Sequence, residues 1–191
     1  LVYDENRSVN PESTENLIIE GENLEVLKLL STAYREKIKC IYIDPPYNTG
    51  SDGFVYNDNF NFTSQELIDK LSISEEQAQK IFDLTTKGRA SHSAWLTFMY
   101  PRLLLARDLL TPDGVIFISI DDNEQANLKL ICDSVFGEES FVANIPWRKR
   151  TAKSDVPFGV SQDYESIICY AKQDFTAALE GGTRKYFETD D

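Results

Sequence analysis

The sequence predicts an α/β fold: a mostly parallel sheet with helices on both faces. Residues 38–43 and 115–120 are apolar almost throughout rather than alternating, as expected of strands covered on both sides. Each run follows a stretch of helical periodicity, Leu24, Leu27, Leu30 and Tyr34 before the first and Leu103, Leu104, Leu105, Leu109 and Leu110 before the second. Helix then strand, repeated, is the order of an α/β crossover.

Residues 16–20, with Leu17, Ile18 and Ile19, form a short apolar run that reads as a first strand. Gly21-Glu22-Asn23 then opens a helix with Asn23 as N-cap. From Ser51 to Phe62 the chain is rich in Asn, Asp, Gly and aromatics without a period, which suits a loop able to close over a ligand. Thr63 with Glu66, and Ser74 with Gln77, have capping-box spacing, so two short helices are expected in an insert at about 60–90.

Pro101 is expected near the start of the Leu-rich helix, and Thr111-Pro112-Asp113-Gly114 is expected to end it. Asp122 and Gln125 are spaced to cap a further helix, with Leu128, Ile131, Cys132 and Val135 on one face and Gly137 closing it. Phe141 to Trp147 and Tyr164 to Tyr170 are two more strands.

Composition narrows the function. At 191 residues and 41% hydrophobic content the chain can bury one substantial core. It has no run of about 18 uncharged apolar residues and no basic-then-apolar leader at Leu1 to Arg7. A cytoplasmic protein away from membranes is expected, and the absent initiating Met and the acidic finish at Glu188 to Asp191 suggest a piece of something longer. Cys40, Cys132 and Cys169 are far apart in apolar settings, so reduced core thiols are expected rather than disulfides or a metal site. The lone His92 makes a hydrolytic triad improbable and reads as a cap or surface residue. A net charge of −13 opposes general phosphate binding, so any nucleic-acid contact must be local.

The chemistry concentrates at Asp44-Pro45-Pro46-Tyr47-Asn48, directly after the first long apolar run. In an open parallel sheet ligands bind at the carboxyl ends of strands. An exocyclic amine on a flat base is a poor nucleophile, because its lone pair is delocalised into the ring. Asp44 and the Pro45 carbonyl can each accept one amine hydrogen, drawing the nitrogen toward tetrahedral geometry as charge develops. Proline holds its carbonyl rigidly and offers no N–H. Tyr47 can stack on the base, a contact of about 1–3 kcal/mol. The plain alternative is a strand ending in a Pro-Pro turn with Asp44 as its cap. Likewise Arg148, Lys149, Arg150 and Lys153 form a basic cluster next to Trp147, suited to a DNA strand or equally to a solvated loop.

Here the chain resembles the amino-methyltransferases of DNA, whose signature is Asp-Pro-Pro-Tyr. Three segments, Tyr42 to Gly50, Ser93 to Leu103 and Gly114 to Glu124, are similar in that order to the modification subunit of type III restriction systems. The resemblance spans roughly Asn16 to Tyr170. It implies a Rossmann-like, S-adenosylmethionine-dependent methyltransferase fold, incomplete in this chain, and methyl transfer to adenine N6 in DNA. By the same implication the cofactor is S-adenosylmethionine, and the partners are double-stranded DNA with a flipped adenine, a restriction (nuclease/helicase) subunit and a second modification subunit.

Carried over by position, the resemblance makes Asp44, Pro45, Pro46 and Tyr47 catalytic, with Asp44 also near the methionine amino group of the cofactor. Gly21 and Asn23 would approach its adenosine, and Tyr100 and Arg102 its methionine side. Gly21-Glu22-Asn23 is also an ordinary helix entry, and Tyr100 and Arg102 also fit plain helix packing. Asn48, Trp147, Arg148, Lys149 and Arg150 are the DNA-contacting set. No metal site is implied.

One feature departs from the family. The Phe-x-Gly-x-Gly turn that cradles the cofactor is absent, since the chain contains no Gly-x-Gly. In this permuted group that turn follows the target-recognition region. Residues 1–175 are therefore expected to be the N-terminal part of the catalytic domain and 176–191 the start of target recognition, leaving the piece weak or inactive alone. Other readings are an amino-methyltransferase of RNA or of a protein amide, disfavoured by Asp44 where protein-amide enzymes carry Asn, and a non-enzymatic DNA-binding or assembly module. A generic nucleotide-binding domain lacks its phosphate-cradling loop.

Overall fold

The structure, a computed structural model, describes residues 2–10, 12–49, 90–149 and 163–176, with scattered positions between 65 and 79. The two insert helices, most of the loop after Thr49 and residues 177–191 lie outside the described residues.

The elements are α1 (Asn23–Ala33), β1 (Ile38–Ile43), α2 (Ala90–Leu109), β2 (Leu110–Ile120), α3 (Gln125–Phe136), β3 (Phe141–Arg148) and β4 (Tyr164–Ala171). They form a sheet of order β1-β2-β4-β3. β1 pairs parallel with β2, while β4 is antiparallel to both β2 and β3. Of these described strands, β1, β2 and β3 therefore run one way and β4 is inserted against them. The sheet is α/β and mostly parallel by direction, yet only its β1–β2 pairing is parallel.

Among the described helices, α2 and α3 cover one face of the sheet. α2 and α3 supply Trp95, Met99, Leu103, Leu128, Ile131 and Cys132 to a core with Ile116, Ile118, Ile120, Ile168 and Tyr170, and α1 packs on α2. The opposite face carries a smaller cluster of Val115, Cys169 and Ala171 with Phe117, Ala143 and Phe175, to which no described helix contributes. Cys40 is exposed at its margin, contrary to the expectation of a core thiol, while Cys132 and Cys169 are buried.

Several boundaries differ from the sequence expectation for local reasons. Residues 16–20 form no strand, and Ile18 is exposed, because no described strand lies beside them to pair. Glu22, not Asn23, is the N-cap of α1; its carboxylate accepts from the Glu25 N–H. Pro101 sits in the middle of α2. It withholds the N–H that would reach the Thr97 carbonyl, usually at a cost of about 3 kcal/mol, which the burial of Trp95, Met99 and Leu103 outweighs. Asp122 does not cap α3, whose N-cap is Glu124; Asp121 instead accepts from the Asn123 N–H. Gly137 closes α3 as expected, at φ +96°.

Residues 111–114 prove to be part of β2. Between the pairs Ile38–Leu110 and Cys40–Val115 the register shifts, so the segment bulges within the strand instead of ending the helix before it. Backbone bonds from Lys172 to Gly114 and from Asp174 to Pro112 hold the bulge against the chain following β4. Glycine suits 114, where a Cβ would lie a tight 3.0 Å from the Thr111 carbonyl oxygen.

Candidate active site

The carboxyl ends of β1, β2 and β3 and the amino end of β4 meet at one end of the sheet, the end where open α/β sheets bind ligands. Asp44 follows β1 directly and is exposed. The Tyr47 hydroxyl donates to Asp44 Oδ1 at 2.8 Å. Burial first, then the bond to Asp44 and the charges of Asp44 and Glu165, push the Tyr47 phenol well above its ordinary value, against a small opposing effect of Ser119. Tyr47 is thus a neutral donor, and Asp44 keeps its second oxygen for another hydrogen.

The two prolines are treated differently. The Trp95 indole N–H donates to the Pro46 carbonyl at 2.6 Å, tying the turn to buried α2. Among the described residues nothing bonds the Pro45 carbonyl. Behind Tyr47, the Ser119 hydroxyl lies 2.6 Å from the Tyr42 hydroxyl.

Asn48 completes the turn in a left-handed conformation, φ +58°, which asparagine tolerates better than most side chains. Its amide donates to Glu124 Oε1. Glu124 is fully buried, and the same oxygen lies 2.6 Å from His92 Nδ1, while Oε2 accepts from the Asn127 amide at 2.7 Å. His92 is accordingly half-buried in a polar cluster and not a surface cap. Sequence reading passed over Trp95, Glu124 and Asn127, although Trp95 and Glu124 fall inside the segments that carried the resemblance.

The residues expected to approach a cofactor come together only in part. Arg102 donates through Nε to Asn23 at 2.6 Å, through a terminal nitrogen to Glu22 at 2.8 Å and through the other to the Phe98 carbonyl at 2.6 Å. Its guanidinium also covers the Phe98 ring, 3.6 Å from the centroid. Burial draws the Glu22 carboxyl up, but the Glu25 and Leu24 N–H groups and Arg102 hold it below the usual carboxylate range. Arg102 and Asn23 therefore dock α1 on α2. A Cβ at Gly21 would meet the Val26 side chain at 3.2 Å, and Tyr100 is buried.

In the basic cluster Trp147 is 62% exposed. Lys149 pairs with Glu165, whose charge reaches Tyr47. Arg148 has a partner of its own, and Arg150 and Lys153 lie outside the described residues. Lys149 is thus partly neutralised, but Trp147, Arg148 and Lys149 share the end of the sheet that carries Asp44. Among the described residues no group of three metal-ligating side chains converges, and no helix is long and apolar enough to cross a membrane.

Comparison with known proteins places the chain in a family. The DNA methylase family profile matches residues 38–190, from β1 onward, and the chain belongs to that family. It is 52% identical over 174 residues to the type III restriction-modification enzyme EcoPI Mod subunit of Escherichia phage P1, covering 91% of this chain and 27% of that protein. The EcoP15I Mod subunit of Escherichia coli is 50% identical, over 87% of this chain and 26% of that protein. The StyLTI Mod subunit of Salmonella typhimurium is 48% identical, over 84% and 24% respectively. The chain thus spans about a quarter of the length of these curated relatives.

Proposed function

We propose that this chain supplies the catalytic turn of an S-adenosylmethionine-dependent adenine-N6 DNA methyltransferase, the modification subunit of a type III restriction system working in the cytoplasm. The observation that carries the reading is the turn itself. An exposed Asp44 carboxylate is oriented by the neutral Tyr47 hydroxyl, beside an unclaimed Pro45 carbonyl and a Pro46 carbonyl fixed by Trp95. Two acceptors so placed can each take one hydrogen of an adenine amine, and Tyr47 offers a face for the base.

The donor set also fits the cofactor at Asp44, whose free oxygen suits an ammonium group. When bound, S-adenosylmethionine would supply a methyl group on a positively charged sulfur. Asp44 and Pro45 would orient the amine, and Asp44 would stabilise the positive charge that grows on nitrogen. Adenine must leave the duplex to reach this turn, so the substrate is double-stranded DNA with a flipped base. Trp147, Arg148 and Lys149 are proposed to lie along it, while the Asn48 amide, expected on DNA, is taken by Glu124. The Mod names of the relatives support a restriction subunit as partner, and a second modification subunit is proposed from the family resemblance alone.

The test is transfer of labelled methyl to adenine-containing duplex DNA by the full-length protein. Asp44→Ala and Tyr47→Ala should each lower transfer by at least about a hundredfold. Unchanged transfer in both would overturn the reading.

A further inference from the structure

We propose that Glu124 is a positioning residue for the catalytic turn, acting through Asn48; this rests on the methyltransferase reading above. A carboxylate removed from water is tolerated when its oxygens are paired, and Glu124, at 0% exposure, is paired with the Asn48 amide, His92 and the Asn127 amide. It is also the N-cap of α3, yet its side chain makes no capping bond to that helix. The carboxylate is turned instead toward β1 and α2, joining three segments far apart in sequence.

What the bond holds is an uncommon turn. Asn48 is in the left-handed region at φ +58°, a conformation that persists in a non-glycine residue when its surroundings impose it. The residue before it is Tyr47, whose hydroxyl reaches back to Asp44. The residue before that is Pro46, fixed by Trp95. Tyr47 is therefore bracketed: α2 grips the backbone on one side and the start of α3 grips the side chain on the other. Releasing the Asn48 grip leaves the ring and its bond to Asp44 held from one side only. Misplacement of a catalytic group by about 1 Å can cost on the order of a hundredfold in rate.

The experiment is a double-mutant cycle in the full-length protein with Glu124→Ala, Asn48→Gly and the pair, plus Glu124→Gln. Glycine removes the amide and relaxes the backbone at once. Each single change should lower kcat for methyl transfer by roughly thirtyfold, with KM for DNA and for the methyl donor within about twofold. The pair should fall little further than either alone, because both remove one interaction. Glu124→Gln keeps an acceptor for Asn48 and should restore at least about half of the wild-type kcat. Multiplying effects, a raised KM for DNA at unchanged kcat, or a Gln variant as slow as the Ala variant would overturn the proposal. If Glu124→Ala does not fold, Asn48→Gly and Glu124→Gln decide by the same criteria. Amide exchange at residues 47–49 provides a readout independent of activity: it should quicken about tenfold or more in Asn48→Gly, and unchanged exchange overturns the proposal. Failure of the wild-type protein to methylate adenine would remove the functional reading, while the exchange result still decides what Glu124 holds.

Discussion

Ile116, Ile118, Ile168 and Tyr170 point to the helix-covered face of the sheet and are fully buried, whereas Tyr42 is 61% exposed on the other face and its cross-strand neighbour Phe117 is half-buried. The residues on each face are alternate members of the same strands. The covered face is sealed by side chains of α2 and α3 and carries the cohesion of the domain. The other holds a small apolar patch edged by Cys40, Tyr42 and Trp147, with the hydroxyls of Tyr42 and Ser119 leading toward Tyr47. Strand hydrophobicity alone does not distinguish the two, because an apolar run reports that burial is possible without saying which side is covered.

The sharpest expected contrast is thiol reactivity in the folded chain. Burial, with the neighbouring Cys40 adding to it, pushes the Cys169 thiol up to about 11, which alone lowers its thiolate fraction about a hundredfold near neutral pH. Burial also pushes Cys132 far up. Iodoacetamide should therefore modify Cys40 first by at least about that factor, and all three thiols together in urea. Equal labelling of the folded chain would erase the distinction between margin and interior.

On the covered face Ile118→Ala should cost about 2–5 kcal/mol in urea unfolding, while Trp95→Phe, which strands the Pro46 carbonyl, should cost about 1–3 kcal/mol. Tyr170 and Lys129 both donate to Asp133. Burial draws that carboxyl up, but these bonds and the Lys129 charge overcome it and leave it below the usual range. A depressed carboxylate adds stability above its unfolded value of 3.8 that is lost as pH falls through its folded value. The stability gap between wild type and Asp133→Asn should thus be widest near neutrality and shrink below about pH 4. The smallest effect belongs to the open face: Tyr42→Phe removes one half-exposed hydroxyl pair and should change stability by about 1 kcal/mol or less.

Much of this was legible in the residues. The apolar runs located β1, β3 and β4 to within a residue, and the Leu spacing located α1. Pro112 and Gly114 misled, because a bulge needs the same residues as a turn, and only the Ile38–Leu110 pair distinguishes them. Asp44 to Tyr47 could be found because carboxylate, prolines and ring are consecutive. The Glu124 cluster could not, since Asn48 and His92 reach Glu124 by tertiary contacts across 76 and 32 residues. Arg102, expected beside a cofactor, bonds Asn23 and Glu22 at the start of α1, a tertiary contact that spacing does not reveal.

The insertion of β4 between β2 and β3 has a consequence for synthesis on the ribosome. β3 is made before β4 but reaches β2 only through it. Until Tyr164 to Ala171 have left the exit tunnel, the nascent chain carries Phe141 to Arg148 with no strand to join and β2 with one edge open, an interval in which unpaired edges invite pairing with other chains. Among the described strands, the order of translation therefore makes β4 the piece that joins β3 to β2, at the end that carries Asp44.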